Sequence, residues 1–171
     1  NLDLEYSYNE TVTITPRNYP FHFRRGTDIT SHHAIIGVAF VVDNYPLYYD
    51  AVNEKGLGIA ALNFPGNADY KPETEGKDNI APFELIPWIL SQCSSVSEAE
   101  KLLSRINITN KNFSDTLPLS PLHWMIADKN RAVTVETVTE GVKVFENPVH
   151  VLTNNPGFDM QMFSLNNYMS C

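Results

Sequence analysis

An α+β fold is predicted by three features of this 171-residue chain. Short apolar runs of strand character lie toward both ends, two segments of helical period lie between them, and turn residues mark nearly every junction. Residues 11–15 alternate Thr with Val and Ile, as a half-buried strand does, and Pro16 stops the run. Residues 34–42 form a continuous Ile- and Val-rich run, which predicts a strand buried on both faces. The polar, aromatic and charged residues 18–33 between them read as a surface loop. A tight Asn53-Glu54-Lys55-Gly56 turn then leads into a third apolar strand, 57–62, which delivers a lone amide, Asn63, to its end.

Residues 67–79 are a charged loop containing Pro and Gly, and Pro82 marks a helix start because proline suits the first turn. Phe83, Ile86, Ile89 and Leu90 give that helix one apolar face, and Pro87 is expected to bend it or to mark a second start. Ser95-Val96-Ser97-Glu98 has the form of a capping box, with Ser95 accepting from the Glu98 amide and the carboxylate reaching back. Ala99, Leu102, Leu103 and Ile106 supply the buried stripe of the second helix. After an Asn/Ser/Pro-rich loop at 107–121, three strands are expected at 122–127, 132–137 and 142–145. The turns Asp128-Lys129-Asn130-Arg131 and Thr139-Glu140-Gly141 make them an antiparallel meander. A further strand is expected to begin at 150–152 and to stop at Thr153-Asn154-Asn155-Pro156.

Composition narrows the function. With 43% hydrophobic and 19% charged residues the chain is that of a globular protein, long enough for one domain with a real core. Twenty acidic residues against twelve basic ones give a formal charge of −8 without a basic stripe, so nucleic acid is not an expected partner. No apolar run approaches the roughly 20 residues that a membrane helix needs, so no membrane association is expected. Two cysteines, Cys93 within the predicted first helix and Cys171 at the last position, do not make a disulfide framework, and a cytoplasmic setting is the simpler inference. Three glycosylation-type triplets begin at Asn9, Asn107 and Asn112, which chance explains in a chain rich in Asn, Ser and Thr. The five histidines show no zinc-ligand spacing, there is no phosphate-cradling glycine loop, and no cofactor is expected. His123, between Leu122 and Trp124, reads as a hydrogen-bonded structural histidine.

Five collinear segments carry a more specific signal. They are Asn1-Leu2-Asp3-Leu4-Glu5-Tyr6-Ser7, Thr15-Pro16-Arg17-Asn18-Tyr19, the stretch from Asp43 through Asn63 to Gly66, Pro121-Leu122-His123-Trp124-Met125-Ile126-Ala127-Asp128, and Val151-Leu152-Thr153-Asn154-Asn155-Pro156. Together they resemble the choloylglycine hydrolase family, the bile salt hydrolases and penicillin V acylases, which are N-terminal nucleophile hydrolases. The resemblance implies an αββα four-layer sandwich with 1–171 as part of one domain. It also implies a cysteine nucleophile exposed as the first residue, whose own α-amine acts as base, and a homotetramer when full length.

Residue by residue, the resemblance gives Asp3 the role of orienting the nucleophile's amine. Asn63 matches the residue whose backbone amide contributes to an oxyanion hole, and Asn154 the one whose side-chain amide supplies a second donor. Leu2, Val42, Phe113 and Leu117 match apolar positions lining the substrate pocket. Arg17, Arg24, Arg25, Arg105 and Arg131 match neither arginine of the family's site. Leu62-Asn63-Phe64-Pro65 follows the bile salt hydrolase branch, where the acylase branch carries a tyrosine at the position of Asn63, so the implied substrate is a glycine- or taurine-conjugated bile acid.

The chain opens at Asn1, and an amide cannot attack a carbonyl. It is therefore expected to lack the leading strand with the nucleophile and a C-terminal part, and to be inactive as it stands. Three alternatives remain open: a penicillin V acylase or other N-acyl amidase, a non-catalytic steroid-binding relative, and a fragment without function.

Overall fold

A computed structural model describes residues 7–25 and 28–169. Its main element is a seven-stranded antiparallel sheet built from β1 (Thr11–Thr15), β2 (Ile35–Val42), β3 (Tyr45–Asn53), β4 (Gly58–Asn63), β7 (Leu122–Ala127), β8 (Ala132–Val138) and β9 (Gly141–Glu146), in that spatial order. Between β4 and β7 the chain forms β5 (Asp78–Ile80), a 3-10 turn (Pro82–Glu84), α1 (Leu85–Gln92), α2 (Val96–Leu103) and β6 (Ile106–Ile108), and after β9 it ends in α3 (Phe158–Met169). The mixed order of strands and helices is the predicted α+β pattern.

The sheet's two faces differ. Ile35, Ala39, Ala51, Ile59, Trp124, Ile126, Val133 and Val135 form one core with Leu85, Ile89 and Leu90 of α1 and Val96, Ala99 and Leu103 of α2. On the other face Val12 is 74%, Ile14 68%, Ile36 44% and Val52 40% exposed. The run at 34–42 is therefore not buried on both faces. The registers Ile14↔Ile36 and Ile36↔Val52 carry these side chains onto the side opposite the helices.

Residues 18–33 are more than a surface loop. An isolated bridge pairs Phe21 with Ile29, and Phe21, Phe23 and His32 are buried. Glu84, 1% exposed, holds this segment to the 3-10 turn by accepting from Arg24 N–H at 2.7 Å and Ala81 N–H at 2.9 Å. Burial pushes its carboxyl pKa up.

β3 was not expected as a strand. It follows a hairpin turn in which Asp43 and Asn44 both take positive φ (50° and 61°), a conformation Asn and Asp tolerate. β5 and β6, a short parallel pair, and α3 are also additions. Pro87 leaves α1 unbroken because it is the third helical residue, whose amide has no acceptor within the helix. In α2, Ser95 Oγ accepts from Glu98 N–H as expected, at 3.3 Å. The Glu98 carboxylate, however, reaches Ser94 N–H at 2.7 Å rather than Ser95, whose own backbone is extended.

α2 ends at Leu103, so Ile106 belongs to β6 instead of the helical stripe. Cys93 is not mid-helix: it caps α1 in an extended conformation. No strand forms at 150–152. His150 takes a positive φ of 54°, and Val151 O accepts from Asn147 Nδ2 at 3.0 Å, so this segment is held by a side chain and not by a ladder.

Candidate active site

β4 ends at Asn63 and the chain turns at once. Phe64 N–H donates to Pro121 O at 2.7 Å, and Ala68 N–H folds back onto Phe64 O at 3.1 Å. Bonded and non-bonded positions alternate along an antiparallel pair. Because Phe64 and Pro121 are bonded, the adjacent pair Asn63↔Leu122 is not. Leu122 N–H accordingly finds the Tyr70 hydroxyl at 2.8 Å. The Asn63 N–H is thereby turned away from β7, toward the side of β3.

On that side the ladder of β3 pairs with β4 only at Gly58, Ile59 and Ala60. The register of β3 against β2 shifts between Val38 and Ala39, whose partners are Asp50 and Tyr48, so Tyr49 is the extra residue of a bulge. A bulge bends its strand. The end of β4 is thus freed on one edge, with the exposed residue Asn63 at its tip.

Asn154 lies on the segment between β9 and α3. The buried Asn147 fixes its start, with N–H to Ala132 O at 2.9 Å and Nδ2 to Thr134 Oγ1 at 3.1 Å. Gln161 of α3 holds the rest: its Nε2 donates to Thr153 O at 3.1 Å and Pro156 O at 2.6 Å, and its Oε1 accepts from Thr153 N–H at 3.2 Å. The Asn155–Pro156 peptide is cis.

Asn67 Nδ2 then donates to Asn155 Oδ1 at 2.7 Å, joining the turn after Asn63 to the turn that bears Asn154. The two turns are side by side, and Asn63 and Asn154 are both exposed. A backbone N–H and a side-chain amide on neighbouring rigid turns are the kinds of donor that stabilise a developing oxyanion.

Among the apolar positions, Val42 and Phe113 come together around Tyr45. Val42 faces Tyr45 across the β2–β3 hairpin, and the Phe113 ring lies 5.8 Å from Tyr45 and 5.2 Å from Phe83. The Arg24 guanidinium sits 5.3 Å and 5.5 Å from the Phe83 and Phe113 rings and donates to Phe113 O. Leu117 closes a short turn just after Phe113, its N–H donating to Ser114 O at 3.3 Å. The Tyr45 hydroxyl is buried without a hydrogen-bond partner, and burial, then the nearby Glu84, raises its pKa. Asp3, Leu2 and Cys171 lie outside the described residues.

Cys93 is 2% exposed, and burial, assisted by Glu98, pushes its thiol up to about 12, so it is no nucleophile. His123 is fully buried, with Nδ1 on Glu136 Oε1 at 3.2 Å, the structural histidine expected. Among the described residues no group of three or more His, Cys, Asp and Glu is placed to hold a metal, and no helix is long and apolar enough to cross a membrane.

Three residues that shape the site carried weak sequence signals. Tyr70 donates to Ser120 O and accepts from Leu122 N–H, both at 2.8 Å, holding β7 where it meets β4. Asn67 sits in an ordinary-looking Pro-Gly-Asn turn. Glu136 is a lone acid in a strand whose other residues, Ala132 to Thr137, are buried throughout. Only that last contrast is visible without a structure.

The family model for linear amide C–N hydrolases of the choloylglycine hydrolase family matches residues 1–171. A bile salt hydrolase/transferase of Lactiplantibacillus plantarum is 60% identical over 168 residues, covering 98% of this chain and 52% of that protein. A conjugated bile acid hydrolase of Lactobacillus gasseri is 41% identical over 170 residues, covering 98% and 54%. The crystal structure of a variant conjugated bile acid hydrolase from Clostridium perfringens superposes with a TM-score of 0.92 at 39% identity, covering 98% of this chain and 52% of the other. Penicillin V acylase from Agrobacterium tumefaciens, at 21% identity and a TM-score of 0.71 over 92% of this chain and 47% of the other, shares the fold. The chain spans about half the length of the relatives it matches. With the full-length match of the family model and these relatives together, this chain belongs to the choloylglycine hydrolase family of linear amide C–N hydrolases.

Proposed function

We propose that the chain is part of a cysteine amidase of bile salt hydrolase type, one that cleaves the amide bond of glycine- or taurine-conjugated bile acids. Residues 1–171 form part of a single N-terminal nucleophile hydrolase domain. In this reading a cysteine thiolate supplied by the rest of the protein attacks the substrate carbonyl, and its α-amine, oriented by Asp3, takes and returns the proton. The carbonyl oxygen becomes an oxyanion held by Asn63 N–H and the Asn154 side-chain amide. Collapse expels glycine or taurine and leaves a thioester, which water hydrolyses to the free bile acid. Val42, Phe113, Leu117 and Leu2 contact the steroid. The enzyme works in the cytoplasm as a homotetramer.

One observation carries this reading: the bulge in β3 and the alternation of the β4–β7 ladder aim Asn63 N–H away from its strand neighbours, while Asn67 ties that turn to the loop of Asn154. The names of the relatives, bile salt hydrolase and conjugated bile acid hydrolase, support the substrate class.

The test uses the full-length protein that contains this chain, assayed for taurine release from taurocholate, for glycine release from glycocholate and for hydrolysis of penicillin V. Taurine is released, and Asn154→Ala lowers kcat by about 10²–10³-fold, the usual loss for one oxyanion donor. A well-folded protein that releases neither glycine nor taurine rejects the substrate assignment, and preferential hydrolysis of penicillin V transfers it to the acylase branch.

A further inference from the structure

The turns bearing Asn63 and Asn154 are joined underneath as well as at the surface. His123 is fully buried and Glu136 is 2% exposed, and they extend the register Trp124↔Val135 by one step, so they are cross-strand neighbours on one face. With its proton on Nδ1 the imidazole donates to Glu136 Oε1 at 3.2 Å. The same carboxyl oxygen accepts Phe158 N–H at 2.8 Å, at the end of the Asn154 loop. The other flank of His123 lies flat on the Phe64 ring, with centroids 4.2 Å apart and planes 7° from parallel, and Phe64 directly follows Asn63.

Gly157 rests against Glu136 and Phe64. A Cβ there would stand 3.5 Å from Glu136 Oε2 and 4.0 Å from Phe64 Cζ. An unbroken path thus runs from Asn63 through Phe64, His123 and Glu136 to Phe158 and back to Asn154. Packing alone does not call for these residues, because burying a carboxyl costs free energy that an apolar pair of equal volume avoids. His123 Nε2 is moreover buried without a partner. What the pair adds is direction: two hydrogen bonds at one oxygen fix both neighbours to narrow ranges of distance and angle.

We propose that Glu136 and His123 are a positioning pair that sets the separation of the Asn63 and Asn154 donors, a role that rests on the amidase reading above. Neither residue touches the substrate. Each acts through the backbone beside a donor, so its loss degrades transition-state stabilisation more than ground-state binding.

The experiment uses the full-length enzyme. Glu136→Asp shortens the side chain and draws the oxygen back, which should lower kcat for taurocholate by about tenfold or more while KM stays within about threefold, since a misplacement near 1 Å costs up to about 100-fold. Glu136→Gln, which keeps length and a carbonyl acceptor, should recover most of that loss. Phe64→Leu removes the ring stack by another route and should reproduce the kcat-selective defect, so the question is decided even if Glu136→Asp fails to fold.

Hydrogen exchange gives the second readout. In Glu136→Asp the bonded amides of Thr153 and Phe158 and also those of Phe64 and Ala68, whose acceptors are Pro121 O and Phe64 O rather than Glu136, should lose protection together. Loosening confined to Thr153 and Phe158, or unchanged kcat in folded Glu136→Asp and Phe64→Leu, overturns the proposal. If the unmutated enzyme does not turn over taurocholate the substrate reading falls, and the exchange data still decide whether the pair couples the two turns.

Discussion

Replacing Asn53 by alanine is expected to unlock the joint between the sheet and α1. This side chain is 4% exposed at the end of β3, and every hydrogen-bonding position of its amide is filled. Nδ2 donates to Leu90 O at 2.8 Å and to Cys93 O at 2.7 Å, supplying partners to carbonyls at the end of α1 that no helical N–H can reach. Oδ1 accepts from Lys55 N–H at 3.0 Å and Leu57 N–H at 3.1 Å, closing the turn into β4. After Asn53→Ala, the exposed Lys55 amide turns to water, but Leu57 N–H, Leu90 O and Cys93 O belong to buried residues. At about 1 kcal/mol or more for each buried group left unpaired, the loss comes to roughly 3–4 kcal/mol.

Asn53→Asp separates the two halves of the amide's work. It keeps the acceptors and sets a carboxylate against two carbonyl oxygens, so at neutral pH it should cost at least as much as alanine. Its folded-state pKa is raised, so the variant regains stability as pH falls and the protonated oxygen donates to one carbonyl. The assay is chemical denaturation of the full-length protein and its variants at neutral and acidic pH. A loss below about 1 kcal/mol for Asn53→Ala, or an aspartate variant milder than alanine at neutral pH, would refute the reasoning.

Other expectations are more local. Gly37→Ala should disrupt the β2–β3 ladder, because its Cβ would stand 2.2 Å from Asp50 O and 2.5 Å from Ala51 Cβ; soluble yield and the melting temperature report it, and near-native stability contradicts it. Glu54 is lowered from 4.5 to about 2, first by hydrogen bonds from Arg17 and then by Ala34 N–H. The stability it contributes is present above its ordinary pKa and is lost as pH falls toward 2, so Glu54→Gln should flatten the acid limb of a stability profile over that window. Cys93 should resist alkylation in the native protein and react rapidly once unfolded, read by peptide mapping, and fast native labelling would show that the end of α1 opens readily.

Much of the architecture was legible in residue patterns. β1, β4 and β7 to β9 follow from alternating or continuous apolar runs bounded by Pro, Asn and Gly, and the two helices from their periodic apolar positions. These signals are local, and local chemistry dictates them. β3 escaped because Pro46, three tyrosines and Asp50 break any simple alternation, and the strand is specified by its neighbours on both sides. β5 and β6 are three residues each, too short to show a period, and exist only because the helical segment returns the chain beside itself. α3 buries only Phe158 among its residues and so lacks the apolar stripe that announces a helix.

The candidate site divides in the same way. The amino-acid sequence by itself marked Asn63 and Asn154 through their motifs and placed each at the end of a strand-like segment. Which way the Asn63 amide points was decided by a bulge at Tyr49 in a different strand and by the bonding parity of a ladder with β7. That the two turns meet was decided by Asn67, Phe64, His123 and Glu136, whose partners lie 13 to 88 residues away along the chain. A sequence motif records the chemical type of a group, while its aim is a property of hydrogen bonds and packing formed only when distant segments come together.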